Sequence, residues 1–494
     1  GLSYSADSGL GAAAFVRITY GTKTITLLST DIRTLTTSNV TFANGSLLIV
    51  GDNAVVSSAD DSANTINGSA QADYINGLGG DDIVNAGDGN DVIYKSNSDG
   101  NDNISAGNGN DTIIISYRPG FISDDTVDGG AGTDVLNYQS SAITPAITVD
   151  MAQHIVTSEG GSQSIQSIER VYGTNSADTF FAGAIEHKID SLGNITNEIF
   201  RGNGGNDTIM GVARDYGDDV IANDIDYRTG ADYSNNTSSQ AINANLHAGL
   251  VSDGLGGTDT LQYVSMVFGG AGNDSFTGGG LTRSTNGMFW EWFRGGAGND
   301  TMDGGNRYSD GGDASSDRAD YSNNTASQAI NVNLVTGKVS DGLGGIDTLI
   351  DIDQVWGGAG DDIFLGGAAN EIFDGGAGND TIDGGGGSNR VSYKQSTSGV
   401  IVNLGASSIN VDTSVYGVTG MTGSKAVAAA TANDGMGGTD VLRNINHVWG
   451  SDYDDYLRGS DIAGSKSLLS GFGGNNYLVG GLGIGIADYS HVPL

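Results

Sequence analysis

The 494-residue sequence has no cysteine, only three prolines and few basic residues. Without cysteine the chain has no disulfide to stabilise it and no thiol nucleophile. Three prolines beside 82 glycines exclude a collagen helix, which needs both residues in a strict period of three. A run of 18 apolar residues is also missing, so the sequence predicts no membrane-spanning helix.

Positive charge is scarce as well. The chain has 21 Lys and Arg against 59 Asp and Glu, a net charge of −38. Such a chain should repel nucleic acid and anionic membrane surfaces, because binding phosphate requires clustered cations. It should also repel itself, so we expect an expanded or unfolded state until cations neutralise it. The apolar content of 37% is low for a globular protein, but its regular spacing argues against disorder.

Familiar catalytic motifs are absent. None of the five histidines lies in an HExxH pattern, and no serine lies in GxSxG. His447 beside Trp449 has no placed partner in the sequence, and we interpret it as structural. The abundant carboxylates are explained by a repeat. We therefore predict that this chain is not an enzyme.

The repeat is clearest from Gly357 to Ser392, which reads GGAGDDIFL, GGAANEIFD, GGAGNDTID and GGGGSNRVS. Glycines at positions 1, 2 and 4 permit a tight turn and expose backbone carbonyls. The apolar residue at position 8 should face inward from a short strand. Two units then form a coil of about 18 residues with turns on two opposite edges. Acids should stack between coils, Asp362 over Asp380 and Glu371 over Asn389.

Carbonyl and carboxylate oxygens together are the ligands that Ca²⁺ prefers. The pattern GGxGxDxUx, with U a large apolar residue, resembles the calcium-binding nonapeptide of the RTX, or haemolysin-type, family. A phosphate-binding glycine loop would need a flanking helix and usually a Lys or Asp partner, which we do not find. The resemblance covers roughly Asn64 to Tyr489. It implies an all-β fold, a parallel β-roll or β-solenoid with calcium ions stacked along the turns. The alternation of Thr, Val and Ile ahead of the repeats predicts a β-rich N-terminal cap.

The resemblance also implies that position-6 acids and turn carbonyls bind multiple Ca²⁺ ions. The candidate ligands are Asp73, Asp82, Asp91, Asp102, Asp111, Asp125, Asp134, Asp178, Glu198, Asp207, Asp259, Asp274, Glu291, Asp300, Asp347, Asp362, Glu371, Asp380, Asp440 and Asp455, with Gly357 and Gly375 as turn glycines. In the first module GGSQSIQSI has no carboxylate at the matching place, so we expect no ion there. Near the C-terminus the register positions are Ser467, Asn476 and Gly485, which predicts coils without ions or an apolar terminal face.

A longer period divides the chain. We expect a β-rich N-terminal cap or assembly region over residues 1–56 and a first RTX tract over 57–135. Four modules follow at 136–230, 231–318, 319–390 and 391–494, the last with degenerate C-terminal coils. Insertions at 283–288, 308–317 and 406–432 should loop outward. The modules share an aromatic residue before a glycine, which we interpret as internal packing, with a sugar-binding ladder for a surface polysaccharide as the alternative. These aromatics are Tyr172, Phe268, Trp356 and Trp449.

Two functions of different classes fit this sequence. The first is an extracellular structural protein that folds on Ca²⁺ and assembles head-to-tail into a filament or surface layer. The second is the secretion and folding module of a larger enzyme, toxin or adhesin. The resemblance implies type I secretion to the surface or surroundings of a Gram-negative bacterium. The start GLSYSADSGL has neither an initiator Met nor a signal segment, so we expect a processed chain or a fragment. Repeats fill most of this sequence, which favours the structural function.

Overall fold

The structure is a computed structural model. It describes residues 2–6, 15–20, 23–28, 35–38, 40–51, 62–95, 100–116, 123–138, 145–159, 161–183, 197–212, 229–279, 291–305 and 317–488. These residues form 46 short β-strands and one four-residue helix, Thr413–Tyr416. The chain divides into two compact units. The first comprises Gly1–Val212, Asp226–Asp232 and Leu255–Val264, and the second comprises Ala213–Ile225, Tyr233–Gly254 and Ser265–Leu494.

The first unit contains two long sheets whose strands alternate along the chain. One is wholly parallel and consists, in order, of Leu48–Val50, Tyr74–Asn76, Val92–Lys95, Thr112–Ile115, Val135–Asn137, Arg170–Tyr172, Glu198–Arg201 and Thr229–Asp232. The other consists of Thr65–Asn67, Ile83–Asp88, Asn103–Asn108, Thr126–Ala131, Gly161–Gln166, Ile155–Ser158, Thr148–Asp150, Thr179–Phe181, Thr208–Met210 and Thr258–Gln262. Near the N-terminus a separate antiparallel sheet contains Leu2–Ala6, Phe15–Tyr20 and Lys23–Leu28.

The second unit repeats this arrangement. Its wholly parallel sheet consists of Met266–Phe268, Trp292–Arg294, Arg318–Asp320, Gln354–Trp356, Ile372–Asp374, Arg390–Ser392, His447–Trp449, Lys466–Ser470 and Ile484–Ala487. The other consists of Leu250–Ser252, Asn243–Asn245, Ser275–Thr277, Thr301–Asp303, Ile346–Ile350, Lys338–Ser340, Asn331–Asn333, Ile363–Leu365, Thr381–Asp383, Thr439–Arg443, Thr431–Asn433, Ile401–Asn403, Tyr456–Arg458 and Tyr477–Val479.

The core lies between the two sheets and is built from position 8 of the nonapeptide. Phe364 and Phe373 are at most 1% exposed, and their ring centroids are 5.6 Å apart. Ile363, next to Phe364 in the same strand, is 47% exposed, because successive side chains in a strand point to opposite faces. The predicted all-β parallel roll and its inward position 8 are therefore confirmed.

One sheet of each unit contains antiparallel strands that the repeat did not predict. In the second unit, Asn331–Asn333, Lys338–Ser340 and Ile346–Ile350 form an antiparallel meander whose outer strands pair in parallel with the coils on either side. The alternating sequence AINVNL supplies its first strand, and DGLGGIDTL supplies the turn and last strand. The meander therefore includes the predicted acid of the module, which lies in DGLGGIDTL.

The insertion at 406–432 is not the outward loop that we expected. It forms a hairpin of Ile409–Asp412 and Ser424–Val427 around the short helix. Its Val411, Val418 and Val427 are buried against Ile401 and Tyr456, because a hairpin with apolar residues on one face is stabilised by packing. Residues 283–288 lie outside the described residues, as do all of 308–317 except Asp317.

Strands were also predicted for residues 1–56, and the part of this segment that the structure describes contains four. The last of them, Leu48–Val50, pairs in parallel with Tyr74–Asn76 and so extends the roll. The domain and module boundaries remain predictions. Within the described residues, no helix has the length and apolar character needed to cross a bilayer.

Candidate calcium sites

The position-6 acids form hydrogen-bonded ladders along the edges of the roll. In each step the backbone N–H of one acid donates to Oδ1 of the acid in the next coil. Asp362 N donates to Asp380 Oδ1 over 2.8 Å, and Glu371 N donates to Asn389 Oδ1 over 3.1 Å, as the predicted stacking requires. The same bond links Asp73 to Asp91, Asp91 to Asp111, Asp111 to Asp134, Asp82 to Asp102, Asp102 to Asp125, Asp178 to Asp207, Asp207 to Asp259, Asp274 to Asp300, Asp300 to Asp347 and Asp380 to Asp440.

A second ladder, which the sequence analysis missed, runs through position 5. Here the position-5 side chain of one coil accepts a hydrogen bond from the position-5 backbone N–H of the next coil. In the acid ladder the direction is reversed, since the backbone N–H of the earlier coil donates to the side chain of the later one. Asp361 Oδ1 accepts from Asn379 N over 2.7 Å, and Asn379 Oδ1 accepts from Thr439 N over 3.1 Å. The recurring Asn or Asp directly before the acid, as in GNDT, was the available signal.

Several buried acids keep one carboxylate oxygen, Oδ2, without a hydrogen-bond donor. These acids are Asp91, Asp111, Asp134, Asp300 and Asp380. Each is at most 1% exposed. A buried carboxylate oxygen without a donor is costly unless a cation compensates it. These five positions are therefore the strongest candidate ligands among the predicted acids.

The turn conformation explains why these oxygens are open. In the Asp380 coil, Gly376 and Gly378 have φ of 79° and 123°, a region that side chains with a Cβ rarely occupy. Turns with positive φ also precede Asp91, Asp111, Asp134 and Asp300. In the Asp362 coil, by contrast, Gly358 donates its N–H to Oδ2 of the acid over 3.0 Å. The positive-φ turn thus turns its N–H groups away from the carboxylate.

Backbone carbonyls complete the oxygen-rich environment. A Cβ added at Gly438 would lie 2.8 Å from Asp434 Oδ2 and would overlap the Gly378 carbonyl oxygen. The same relation joins Gly345 to Asp341 Oδ2 and the Gly298 carbonyl. Carboxylate and carbonyl oxygens that face each other without a donor between them are the ligand set of a hard cation.

Asp341 and Asp434 are themselves residues that the sequence analysis missed. Each is fully buried and begins a DGxGG turn. Oδ1 of Asp341 accepts three backbone N–H groups, from Leu343, Gly344 and Gly345, while Oδ2 has no donor. The signal was the spacing of this first acid six residues before the predicted one, in DGLGGID and DGMGGTD.

Electrostatics show how unfavourable these acids are without a cation. Burial, together with the neighbouring Asp440, Asp362 and Asp434 carboxylates, raises the pKa of Asp380 to about 9. Burial and Asp347, Asp274 and Asp341 raise the pKa of Asp300 to about 8. A divalent cation at these oxygens favours the ionised form and neutralises the like charges. Within the described part of the chain no three His, Cys, Asp or Glu side chains are grouped to hold a metal, so a cation at these turns would also need carbonyl ligands.

The other predicted ligands have different surroundings. Oδ2 of Asp73, Asp178, Asp274, Asp362 and Asp455 accepts an N–H from its own turn. Asp347 and Asp440 each accept a hydrogen bond from a tyrosine hydroxyl, that of Tyr321 and Tyr393 respectively.

The three predicted glutamates accept hydrogen bonds from backbone N–H groups. Glu198, Glu291 and Glu371 accept from Gly183, Gly279 and Gly367 respectively. Oδ1 of Asp82 accepts from Asn64 N, and Asp102 and Asp125 contact Lys95. Gly357 and Gly375 lie against Oδ2 of Asp362 and Asp380, as turn glycines should.

The four module aromatics lie beneath arginine side chains. The Arg201 guanidinium is 3.9 Å from the Tyr172 ring centroid, and Arg318 is 3.3 Å from that of Trp356. Arg294 and Arg390 cover Phe268 and Trp449 in the same way. Such cation–π contacts stabilise the sheet face and occupy the ring surface that a sugar would need. Binding of a polysaccharide remains an untested prediction.

A comparison with family models agrees with this geometry. The model described as RTX calcium-binding nonapeptide repeat (4 copies) matches residues 58–93, 97–114, 120–138, 192–213, 266–280, 287–306, 341–370 and 365–393. No curated protein matches the chain. The repeat is a structural calcium-binding repeat, typical of secreted proteins of Gram-negative bacteria. In these segments the chain contains RTX calcium-binding nonapeptide repeats, several copies of which are distributed along it.

Proposed function

We propose that this protein is an extracellular structural protein that folds on binding Ca²⁺ and assembles head-to-tail into a filament or surface layer. Calcium-dependent folding is supported by buried carboxylate oxygens that have no hydrogen-bond donor. They belong to Asp91, Asp111, Asp134, Asp300 and Asp380. Calcium ions at these positions would replace the missing donors and neutralise part of the −38 charge. The match to RTX repeats supports the extracellular setting, because such repeats are typical of secreted proteins.

The strand Ile484–Ala487 supports the assembly part. It pairs with Lys466–Ser470 on one side, and all four of its residues are exposed. Ile484 and Ile486 are 50% and 42% exposed, and the preceding Leu482 is 79% exposed. An exposed apolar strand at the edge of a sheet is a template for pairing with another chain. A second copy docked by its N-terminal region would cover this strand, and a contact that does not close into a ring produces a filament.

Sedimentation of the calcium-loaded protein tests the assembly. We expect the full chain to form concentration-dependent polymers, and a chain truncated after Gly480 to stay monomeric. The double substitution Ile484→Ser and Ile486→Ser should act like the truncation, because it removes the apolar contact but keeps the strand backbone. Its matched control is Ile363→Ser with Leu365→Ser, which changes two exposed apolar residues of a strand within the roll.

The outcomes separate the two functions. Polymers that persist after truncation, or that both double substitutions abolish equally, would contradict assembly through this strand. A full-length chain that binds calcium but stays monomeric at high concentration would instead favour a folding and secretion module of a larger enzyme, toxin or adhesin.

A further inference from the structure

Asn389 takes the place of an acid in the ladder, and its side-chain amide supplies a hydrogen-bond donor where an acid would have only a second acceptor. The residue is fully buried, and Oδ1 accepts from Glu371 N as an acid would. Its Nδ2, however, donates to the carbonyl oxygens of Gly384 and Gly386, each over 2.6 Å, and lies 3.2 Å from the Asn444 carbonyl. Three carbonyl oxygens thus converge on a protein N–H₂ group.

The preceding nonapeptide shows what this amide replaces. Gly375 and Gly384 each lie five residues before their position-6 residue. A Cβ at Gly375 would have Asp380 Oδ2 as its nearest neighbour, an oxygen without a donor. A Cβ at Gly384 would lie 2.6 Å from both Asn389 Nδ2 and the Asn444 carbonyl. Asparagine therefore puts a donor where aspartate leaves an unmet acceptor.

Lys95 introduces a positive charge in a comparable way. It follows the inward Ile93 by two residues, so its side chain also enters the roll, and it is only 9% exposed. Its ammonium lies 2.6 Å from Asp102 Oδ2, 3.0 Å from Asp125 Oδ1 and 3.0 Å from the Gly100 carbonyl. Two carboxylates from adjacent coils and a turn carbonyl are the oxygens that a calcium ion would bridge.

The remaining oxygen of Asp125 is also occupied by protein donors. Oδ2 accepts from Gln163 Nε2 over 2.6 Å and from the Ser123 hydroxyl over 2.8 Å. Gln163 belongs to GGSQSIQSI, the segment without a carboxylate where we expected no ion. A buried polar group that already has all its hydrogen bonds gains little from binding an ion, because the ion must first displace the existing donors.

We propose that the Lys95 ammonium and the Asn389 amide occupy the positions that calcium ions take in the neighbouring coils, so that these two coils close without metal. The proposal rests on the proposed calcium binding of the chain. It divides the predicted ligands into those that bind an ion, such as Asp380, and those that a donor of the chain already satisfies, Asp102 and Asp125.

The number of calcium ions bound per chain at saturation tests the proposal, measured by equilibrium dialysis and metal analysis of the folded full-length protein. We expect Asn389→Asp to add one ion, because it converts the donor into a carboxylate oxygen facing carbonyls. Lys95→Met should likewise add one ion between Asp102 and Asp125. Asp380→Asn should do the reverse and remove one.

Matched controls separate this from a general effect of charge. Asn379→Asp makes the same chemical change in an exposed position-5 side chain, and Lys338→Met removes an exposed ammonium. Neither should change the number of bound ions. Circular dichroism in calcium verifies that each variant folds.

Each result decides a different point. A parent chain that binds no calcium would contradict the proposed function itself. A parent that binds calcium while folded Asn389→Asp and Lys95→Met bind the same number would overturn this inference alone. If neither variant folds, Asp380→Asn decides, since an unchanged ion count there would show that an amide at position 6 does not replace the metal.

Discussion

Calcium removal should unfold this protein, and millimolar calcium should restore it. In excess chelator we expect a coil spectrum by circular dichroism, which becomes a β spectrum on calcium addition. Two terms oppose the ion-free fold, the conformational entropy of a chain with 82 glycines and the repulsion within a net charge of −38. Burial, together with the neighbouring Asp347, Asp274 and Asp341 carboxylates, raises the pKa of Asp300 to about 8, so both desolvation and repulsion act against the charged acids of this turn. Metal binding then supplies folding free energy, as in other domains that fold around ions.

Sodium chloride at the same ionic strength is the control for this experiment. Monovalent salt at about 0.1 M screens exposed charges that are more than about 10 Å apart, but it does not supply a cation ligand to buried oxygens. It should therefore recover little β-structure. A complete β spectrum in chelator, or full recovery by sodium chloride alone, would show that the fold does not depend on calcium.

Asp380→Ala should remove one bound ion and lower the stability of the second unit. The substitution deletes the open Oδ2 and also Oδ1, which accepts from Asp362 N. Loss of that hydrogen bond alone leaves a buried N–H without a partner, at a cost of about 1–3 kcal/mol. We expect a lower urea midpoint in calcium and one ion fewer per chain by metal analysis.

Asn476→Ala is the matched comparison. It removes the same kind of ladder bond, since Asn476 Oδ1 accepts from Asp455 N over 2.9 Å, but its Nδ2 already donates to the Gly473 carbonyl. We expect an unchanged ion count and a smaller shift of the urea midpoint. Equal losses of calcium from both variants would mean that the open carboxylate is not the ligand.

The sequence predicted what depends on the spacing of residue types. The nine-residue period fixed which side chains face inward, such as Phe364, and which acids stack, such as Asp362 on Asp380, and both follow from the alternation of a strand. Asp341 was missed because its role comes from a turn that belongs to the meander, not from the nonapeptide. The position-5 ladder was missed because a motif counts its variable positions as free.

Turn conformation could not be predicted, because identical sequences adopt both forms. GGAG at 357–360 donates the Gly358 N–H to its acid, whereas GGAG at 375–378 has positive φ at Gly376 and Gly378. The difference lies in the neighbouring coil. Gly358 lies against Asn324, in the segment that precedes the meander, and Gly376 lies against the Gly358 carbonyl. Lys95 was equally hidden, since its partners Asp102 and Asp125 become neighbours only once the coils form.

The two opposed ladders have a consequence for how such a chain can change length. A coil with Asn or Asp at position 5 and an acid at position 6 offers one donor and one acceptor to the coil before it and the complementary pair to the coil after it, as Asp361 and Asp362 do toward Asn379 and Asp380. Duplicating or deleting such a coil therefore leaves every remaining ladder bond with a partner of the right kind. Coils of this type are interchangeable in these two ladders, so unequal recombination between repeats can lengthen or shorten the protein while the ladder bonds are kept.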